Sequence, residues 1–562
     1  MANANIQVTR VAMRTTTGTQ DITISGFGTP KAAMFRLVAA TTDDTIRAEG
    51  RLSEGFYDGT NSACSSIRSD DAKATSATAR NSSTAAVITL PNSAGSGTVL
   101  VATATGFITD GITINVTTAT EGIAYLLEVT LINGDGVLNV TVGTQLINST
   151  SETVTLSYRP SLIYLTGIGL NSHAAGAHNI YSSGIAIDDG GSTKQGAVLS
   201  YDKDNVSTMK SGTRYSETHI AGQYFDGTLT WETAATITAT GFDLDGTQGG
   251  DYVYYIAIEF DSTVNCDIDY INSPTATGSN TLGAVSFTPD YALLLAQQAA
   301  ATGNVTHVAN AYVAVTSSTQ YTNSYSTQSS TGTANSNSLS SSGKFVKLST
   351  TGAVQMEADY TALVSGGVEF DFTTVFGSTK KILGLFVGNS TAQDLTPTGI
   401  ASAEAFGTPV IATGSVNISP SGIASTEAFG TAVVSQATFL SPSGIASEEA
   451  FGTAVLTTGA VIVTPSGIAS AEAFGTAVIT QGFVITPTGI ASAEAFGTAA
   501  ITTGAVTLSP TGIASEEAFG SHAVAVAGAK EIKIDFQDEI VMATNLQSTT
   551  LYFNGSNYFT ID

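Results

Sequence analysis

The sequence predicts an all-β protein made of repeated units, and three observations indicate this class. Segments such as 98–116 and 227–246 alternate apolar residues with Thr, Ser or Asp at a period of two, the pattern of a strand with one buried face. Turn-forming clusters punctuate them, as in NGDG at 133–136 and DDGG at 188–191. Helix signals are scarce before residue 391, so strands account for the fold there.

Composition narrows the classes of function. The 562 residues carry a net charge of −26 with only 20 Lys and Arg, which argues against nucleic acid as a partner. Since no run of eighteen apolar residues occurs, we expect no membrane insertion. The start of the sequence lacks a basic flank followed by an apolar core, so no secretion signal is expected. Cys64 and Cys266 stand far apart and are interpreted as buried small hydrophobes.

Two landmarks recur three times along the first 390 residues. Each time a proline precedes an apolar run, and these prolines, spaced 130 and 129 residues apart, are Pro30, Pro160 and Pro289. Another apolar run follows each proline after 93 residues, at Ile123, Val253 and Ile382. Duplication explains such a pattern, which predicts three tandem β-sandwich or jelly-roll-like domains.

The predicted domains span residues 1–145, 146–275 and 276–390. Within each domain we expect the opening and closing apolar runs to form neighbouring core strands. The middle of each domain is rich in Ser, Thr, Gly and Asn, as in 317–342, and predicts long loops or edge strands.

Residues 391–528 contain six copies of a phrase such as SPTGIASEEAFG (509–520), which start alternately 23 and 22 residues apart. We interpret each copy as a bend and one helical turn, with Ser515 as N-cap, Glu516 and Glu517 in the first turn and Gly520 at its end. The spacers predict short β-hairpins, and such small units are stable only when stacked. The expected apolar anchors of the stack are Ile400, Phe406, Ile423, Phe429, Ile445, Phe451, Ile468, Phe474, Ile490, Phe496, Ile513 and Phe519.

Residues 529–562 predict a small C-terminal β tip. The segment LYFNGSNYFTID reads as a hairpin around Asn554 and Gly555. Four aromatic residues cluster there: Tyr552, Phe553, Tyr558 and Phe559. They are candidates either for packing between subunits or for contact with a host glycan or protein.

Candidate catalytic and metal-binding patterns are weak. One glutamate recurs in every repeat, at Glu404, Glu427, Glu449, Glu472, Glu494 and Glu517. Six identical sites are unlike an active site, where two carboxylates need different environments, so we interpret these residues as capping charges. We interpret His173, His178 and His219 as solvated loop residues and DLDG (243–246) as a turn. No catalytic, cofactor-binding or metal-binding residue is predicted.

Several segments resemble structural proteins of tailed bacteriophages. The closest is TGTQDITISGFGTPKAAMF (17–35), followed by AVSFTPDYALLLA (284–296). The pattern GFDLDG…DYVYYIAIEF (241–260) is also similar, and GIASAEAFGTP (399–409) is similar to tandem repeats of phage and bacterial surface proteins. The resemblance implies a virion appendage such as a tail fibre, spike or decoration protein, usually homotrimeric and without catalytic residues. The sequence departs from spikes that degrade glycans, because neither a heptad coiled coil nor a long parallel β-helix is expected.

The expected function is therefore that of a non-enzymatic virion component, a tail fibre or other tail appendage. Expected partners are further copies of the chain, with a trimer favoured, other virion proteins and a host surface glycan or protein. Localisation would be the virion, assembled in the host cytoplasm and then extracellular. The alternatives are a capsid decoration or head fibre protein and a bacterial surface adhesin or filament subunit. A glycan depolymerase would need an asymmetric carboxylate pair in a groove.

Overall fold

A computed structural model describes residues 3–389, apart from 149, 174 and 248, together with the strands of the repeats between 393 and 524. The chain divides into two units, residues 1–389 and 390–562, and each is described by itself. Every regular element in the described ranges is a β-strand, which confirms the all-β class. Among these residues, no helix is long and apolar enough to cross a membrane.

The first unit contains three successive sets of eleven strands. The first set is β1 (Asn5–Ala12), β2 (Gly18–Thr23), β3 (Ala32–Val38), β4 (Arg47–Ala48), β5 (Gly50–Tyr57), β6 (Ser62–Ser69), β7 (Thr78–Ser83), β8 (Ile88–Pro91), β9 (Thr98–Ile108), β10 (Gly111–Ala119) and β11 (Leu126–Asn133). The second is β12 (Val137–Ile147), β13 (Ser151–Thr155), β14 (Leu162–Gly167), β15 (Ala175–Ala177), β16 (Asn179–Asp189), β17 (Ser192–Asp202), β18 (Ser211–Ser216), β19 (Ala221–Phe225), β20 (Thr228–Thr238), β21 (Gly241–Gly246) and β22 (Asp251–Phe260). The third is β23 (Val264–Asn272), β24 (Gly278–Leu282), β25 (Tyr291–Ala296), β26 (Gly303–Thr306), β27 (Val308–Thr316), β28 (Gln320–Thr327), β29 (Ser336–Ser342), β30 (Lys344–Leu348), β31 (Val354–Val364), β32 (Gly367–Thr374) and β33 (Lys381–Asn389).

Each set builds one seven-stranded and one four-stranded antiparallel sheet, hereafter a sheet pair. The larger sheets have the orders β1-β11-β3-β5-β6-β7-β15, β12-β22-β14-β16-β17-β18-β26 and β23-β33-β25-β27-β28-β29-β4. The smaller sheets are β2-β10-β9-β8, β13-β21-β20-β19 and β24-β32-β31-β30. The three sheet pairs therefore share one topology, and in each case the seventh strand of the larger sheet comes from a different set.

Two kinds of apolar core hold this unit together. Within each sheet pair, a cluster of buried side chains joins the two sheets in a sandwich-like arrangement, as Phe35 and Ile112 do in the first. A further cluster contains residues of all three sets, including Phe56, Tyr164 and Tyr312. The larger sheets are thus buried on both faces, one against their own small sheet and one against their neighbours.

The strands expected next to each other are neighbours. β3 pairs with β11, β14 with β22 and β25 with β33, which confirms that the opening and closing runs of each set are adjacent core strands.

The domain boundaries expected at residues 145 and 275 need correction. β12 begins at Val137 and pairs with β22, while β23 begins at Val264 and pairs with β33. These two strands belong to the sheet that follows them because their backbone groups complete its edge.

The Ser- and Thr-rich segment 317–342 is also corrected, because it forms neither long loops nor an exposed edge. Its strands β28 and β29 lie inside a seven-stranded sheet, and most of their residues are buried. Small hydroxyl side chains fit between closely packed sheets when each finds a hydrogen-bond partner. Ser324 and Thr322, for example, donate to the carbonyl oxygens of Asn310 and Lys344 at 3.1 and 2.7 Å.

In the second unit, each repeat contributes one strand to each of four parallel ladders. The first two ladders are Gln393–Leu395, Val416–Ile418, Thr438–Leu440, Val461–Val463, Phe483–Ile485 and Val506–Leu508, and Thr398–Ile400, Ser421–Ile423, Ser443–Ile445, Ser466–Ile468, Thr488–Ile490 and Thr511–Ile513. The other two are Ala405–Phe406, Thr426–Phe429, Glu448–Phe451, Ala471–Phe474, Ala493–Phe496 and Ala518–Phe519, and Val410–Ile411, Ala432–Val434, Ala454–Leu456, Ala477–Ile479, Ala499–Ile501 and Ala523–Val524. This is the arrangement of a parallel β-solenoid.

The hairpins expected between the phrases are therefore wrong, and so are the helical turn in the second to fifth repeats and the expectation of no long parallel β-helix. The residues named for the turn of the sixth repeat, Ser515, Glu516, Glu517 and Gly520, lie outside the described residues. The EEAF segment of the third repeat is a strand, Glu448–Phe451, paired in parallel with the equivalent segments on both sides. A single helical turn leaves most of its backbone groups without partners, whereas stacking of identical repeats pairs them along a continuous ladder. The alternation of 22 and 23 residues falls between the fourth strand of one repeat and the first strand of the next, so the ladders stay in register.

Candidate functional site: the junction of the three sheet pairs

The three sheet pairs are joined by short strands that each cross to a neighbour. β15 of the second set pairs with β7 of the first, β26 of the third with β18 of the second, and β4 of the first with β29 of the third. Strand exchange in this cyclic order closes a ring within one chain. The three joints differ in length, since the last has only two register pairs, Asn337 with Ala48 and Ser338 with Arg47.

A ring of backbone hydrogen bonds follows the same order. The connecting segments after β6, β17 and β28 bond to one another through Ser76 N to Val206 O at 3.0 Å, Met209 N to Thr331 O at 2.9 Å and Ala334 N to Lys73 O at 2.8 Å. Reciprocal bonds run from Asn205 N to Ser76 O, Ser330 N to Met209 O and Ala72 N to Ala334 O. Each of the three donors Ala72, Asn205 and Ser330 has a positive φ, between 56° and 61°. The junction therefore has pseudo-threefold symmetry in its backbone.

Asp202 is one of two buried aspartates at this junction, the other being Asp70. Ser69, Asp202 and Thr327 end the equivalent strands β6, β17 and β28. The Ser69 hydroxyl donates to Asp202 Oδ2 at 2.6 Å, the Thr327 hydroxyl donates to Oδ1, and Asn179 Nδ2 donates to Oδ2 at 2.7 Å. Asp202 is 4% exposed. Burial raises the pKa of its carboxyl to about 6, while the three hydrogen bonds lower it. Three donors directed at its two oxygens suit the carboxylate form.

A small cavity of about 20 Å³ lies at the same place. Its walls come from all three sheet pairs and include Ser69, Thr78, Asp202, Ser211, Thr327 and Ser336. The cavity is slightly larger than the roughly 10–15 Å³ that one water molecule requires. Its size suits a water molecule or a small ion, and no larger ligand.

A buried charged cluster lies on the inner face of the first seven-stranded sheet. Arg36 Nε donates to Glu54 at 2.7 Å and Arg36 Nη1 donates to Glu128 at 3.0 Å. All three side chains are buried. Burial raises the pKa of Glu128 to about 7, although the positive charge of Arg36 lowers it. One guanidinium therefore faces two carboxylates in a dry interior.

The other two sheet pairs complete this cluster. Tyr164 and Tyr181 of the second set donate to the two oxygens of Glu54, and Asn323 of the third set donates to Glu128 Oε2 at 2.8 Å. The Tyr312 ring lies 4.9 Å from the guanidinium carbon of Arg36. The register places different residues at the equivalent sites: Thr166, Ser183 and Tyr254 in the second set, and Leu295, Tyr312 and Leu383 in the third. The charges thus belong to one sheet pair and their partners to all three.

The histidines singled out in the sequence have structural contacts rather than a common site. His173 Nδ1 lies 2.9 Å from the Tyr254 hydroxyl, and His178 Nδ1 accepts the Asp204 backbone N–H at 2.9 Å. His219 lies 3.5 Å from Glu232. Burial lowers the pKa of all three imidazoles. In the described part of the chain, no three His, Cys, Asp or Glu residues are grouped to hold a metal ion.

The other singled-out residues fall in different places. DLDG at 243–246 is not a turn, because it forms the end of β21. Cys64 is buried as expected, and burial raises the pKa of its thiol to about 12, whereas Cys266 is only half-buried. The tip residues Tyr552, Phe553, Tyr558 and Phe559 lie outside the described residues.

The repeat anchors occupy two ladders in register. Ile400 aligns with Ile423 and onward to Ile513, and Phe406 aligns with Phe429 and onward to Phe519. The glutamates of four repeats, Glu427, Glu449, Glu472 and Glu494, are likewise register partners within strands, so they do not cap helical turns. Glu404 and Glu517 lie outside the described residues, as do the anchor side chains.

Sequence reasoning did not find the buried cluster or Asp202. A signal was present for the cluster, since Arg36, Glu54 and Glu128 each stand within a strand whose neighbouring residues are buried. A charge inside such a segment marks either a buried ion pair or an error in the strand assignment. Asp202 had no comparable signal, because its partners Ser69 and Thr327 are more than 120 residues away.

Comparison with known proteins yields no family. No family model matches the chain, and no curated protein matches it. Among solved structures, three that match are a fructofuranosidase from Schwanniomyces occidentalis complexed with fructose, the tailspike protein gp49 from Pseudomonas phage LKA1, and a mutant of Rh. blastica porin. Their sequence identities are 8%, 9% and 11%, and their TM-scores are 0.12, 0.08 and 0.09. The matches cover 67%, 48% and 68% of this chain and 98%, 61% and 100% of the others. Such low TM-scores support no inference about fold or function.

Proposed function

We propose that the chain is a non-enzymatic structural component of a phage virion, a tail fibre or other tail appendage that mediates assembly and host-surface contact. In this proposal the three sheet pairs are tandem β-sandwich domains of the jelly-roll type, followed in the sequence by the repeats and the tip. The proposal combines the resemblance of segments such as 17–35 to tailed-phage structural proteins with the architecture of the first unit.

The observation that carries the proposal is the closed ring of three sheet pairs. The tailed-phage appendages that the sequence resembles are usually homotrimers of three chains. Here three sheet pairs of a single chain are joined in a closed cyclic order. Threefold order gives a particle protein equivalent surfaces with which to meet symmetric neighbours. Exchange of strands at every joint also covers sheet edges that would otherwise promote aggregation.

The repeats support the same function in a second way. Four ladders of parallel strands form a regular array whose length is set by the number of repeats. We propose that this array and the tip carry any further homo-oligomerisation, with a trimer favoured, and that Tyr552, Phe553, Tyr558 and Phe559 contact either a neighbouring subunit or a host glycan or protein. Other virion proteins would be the remaining partners, and the virion the place of action.

The test is to locate the chain on purified particles from a host that encodes it. Mass spectrometry should detect the chain in stoichiometric amounts, and gold-labelled antibodies against residues 3–389 should mark a tail appendage in electron micrographs. Label on the head would instead identify a capsid decoration or head fibre protein. Label on the cell envelope, with none on particles, would contradict the virion proposal and identify a surface adhesin or filament subunit.

A further inference from the structure

Among the described residues, no cationic side chain forms an ion pair with the buried carboxylate of Asp202. Its hydrogen-bond partners are Ser69, Thr327 and Asn179, all of them neutral. The two lysines that line the same cavity are engaged elsewhere, since Lys203 and Lys210 both bind Asp226, at 2.6 and 3.1 Å. Buried charges in proteins are normally paired or coordinate a metal ion. The described contacts of Asp202 therefore bring no positive charge to this carboxylate.

Oxygen atoms from all three sheet pairs form part of the walls of the cavity beside Asp202, together with apolar groups. The hydroxyls of Ser69 and Thr327 donate their protons to the carboxylate, so their lone pairs remain free to bind a cation. Thr78, Ser211 and Ser336 occupy equivalent places at the starts of β7, β18 and β29 and add three further hydroxyls to the walls. Carboxylate and neutral oxygen ligands around a small cavity are the environment preferred by hard cations.

A second buried acceptor lies next to the carboxylate. Asn179, which is 1% exposed, donates through Nδ2 to Asp202, while its Oδ1 has no hydrogen-bond partner. An unsatisfied buried acceptor costs on the order of 1–3 kcal/mol unless a donor or a cation is supplied. Asn179 and Asp202 are register partners, so the unpaired amide oxygen and the carboxylate lie at the same end of the second seven-stranded sheet.

We propose that the cavity at the junction binds one hard cation, Na⁺ or Ca²⁺, through the Asp202 carboxylate and the surrounding hydroxyl oxygens. The ion neutralises the buried carboxylate and is shared by residues of all three sheet pairs. It therefore links the ends of β6, β17 and β28, and its binding favours the closed ring over any opened form.

The experiment compares the full chain in NaCl, CaCl₂ and choline chloride at equal ionic strength, by thermal unfolding and by equilibrium dialysis with metal analysis. We expect a higher Tm in one of the two metal salts than in choline, and one tightly held ion per chain. Asp202→Asn should abolish the Tm response and weaken binding at least about tenfold, because charge-assisted ligation is lost. A response to Ca²⁺ alone identifies a divalent site, and a response to Na⁺ identifies a monovalent one.

A matched control excludes general binding to this acidic chain. Asp251 is also buried but accepts from Trp231 Nε1 at 2.7 Å and lies outside the cavity, so Asp251→Asn should keep the full response. If Asp202→Asn does not fold, Ser69→Ala and Thr327→Val each remove one oxygen without changing charge and should weaken binding severalfold. Equal Tm values of the unaltered chain in all three salts, or a response retained by Asp202→Asn, would overturn the proposal.

Discussion

The Tyr164 hydroxyl donates a hydrogen bond of 2.8 Å to Glu54, and the two residues belong to different sheet pairs. Glu54 also binds Arg36 of its own sheet pair, so a single buried carboxylate connects two of the three larger sheets. Glu128 connects the first to the third through Asn323. Any other arrangement of the three similar units would separate these buried carboxylates from Tyr164 and Asn323, so the contacts favour the observed one.

Replacing Arg36, the positively charged residue of the buried cluster with Glu54 and Glu128, should strongly destabilise the fold. In Arg36→Met two buried carboxylates would lose the guanidinium that pairs with both of them, and we expect the free energy of unfolding to fall by about 3–5 kcal/mol. The control is Arg159→Met, whose partially exposed pair with Asp188 should contribute less than about 1 kcal/mol. Urea denaturation followed by fluorescence measures both, and equal effects would refute the importance of the buried cluster.

Stability should depend on the protonation of Glu128. Its pKa is raised to about 7 in the folded chain, so its contribution to stability is fully present below its unfolded pKa of about 4.5 and is lost as the pH rises through 7. The groups that set this pKa are Arg36 and Arg10, which lower it, and Glu54, which raises it. Because other groups titrate too, the quantity to measure is the difference in urea midpoint between Glu128→Gln and the unaltered chain from pH 5 to pH 8.

That difference should favour Glu128→Gln increasingly as the pH rises from 5 to 7 and should level off above 7, where Glu128 is ionised in both the folded and the unfolded chain while the amide stays neutral. Converted from the urea midpoints to the free energy of unfolding, the total change in this difference should be on the order of 3 kcal/mol. A difference that stays constant across the range would show that Glu128 titrates as it does in the unfolded chain.

Gly184 lies where no side chain fits. A Cβ atom at this position would be 1.7 Å from the Ile220 carbonyl oxygen, and one at the equivalent Gly55 would be 1.9 Å from the Val87 carbonyl oxygen. Gly184→Ala should therefore force the two sheets of the second pair apart and cost about 2 kcal/mol or more. Thermal unfolding of both variants measures this loss of stability. Gly377→Ala, whose added Cβ would have no atom beyond its chain neighbours within 4 Å, should leave the Tm nearly unchanged.

Closure of the ring within one chain can be tested by a disulfide. Ala48 and Asn337 are register partners at the joint between the first and third sheet pairs, close enough for cysteines to bridge. Ala48→Cys combined with Asn337→Cys should oxidise within a single chain, give a monomer band without reductant and raise stability by about 2–4 kcal/mol. Ala48→Cys alone should do neither. Covalent dimers or longer ladders would show that the joint forms between chains.

The sequence predicted the periodic parts of this fold. Pro30, Pro160 and Pro289 each precede a strand at the same place in its sheet, because proline ends one extended segment before the next begins. Alternation gave the strands of the small sheets, where one face is exposed. The two apolar runs of each unit predicted that β3 and β11 are neighbours, since long apolar runs are buried best side by side.

What the sequence concealed is long-range. The strands β28 and β29 read as loops because serine and threonine normally face water, and only the neighbouring sheet pair makes them interior. In the repeats, the spacing of Ser, Glu and Gly is typical of a capped helical turn and led to the wrong prediction of such a turn. Six nearly identical phrases can pair with one another residue by residue, as Phe429 does with Phe451.

Ala4 and Asn389 hold the two ends of the first unit together. The Ala4 N–H donates to Asn389 Oδ1 at 2.7 Å, and Asn389 Nδ2 donates to the Ala4 carbonyl oxygen at 2.9 Å. With its ends in contact and its three members arranged cyclically, this unit has no structurally privileged starting point. Taken by itself, the first unit could be cut at either connection between sheet pairs and rejoined across Ala4 and Asn389, and it would keep the same ring with a different sheet pair encoded first.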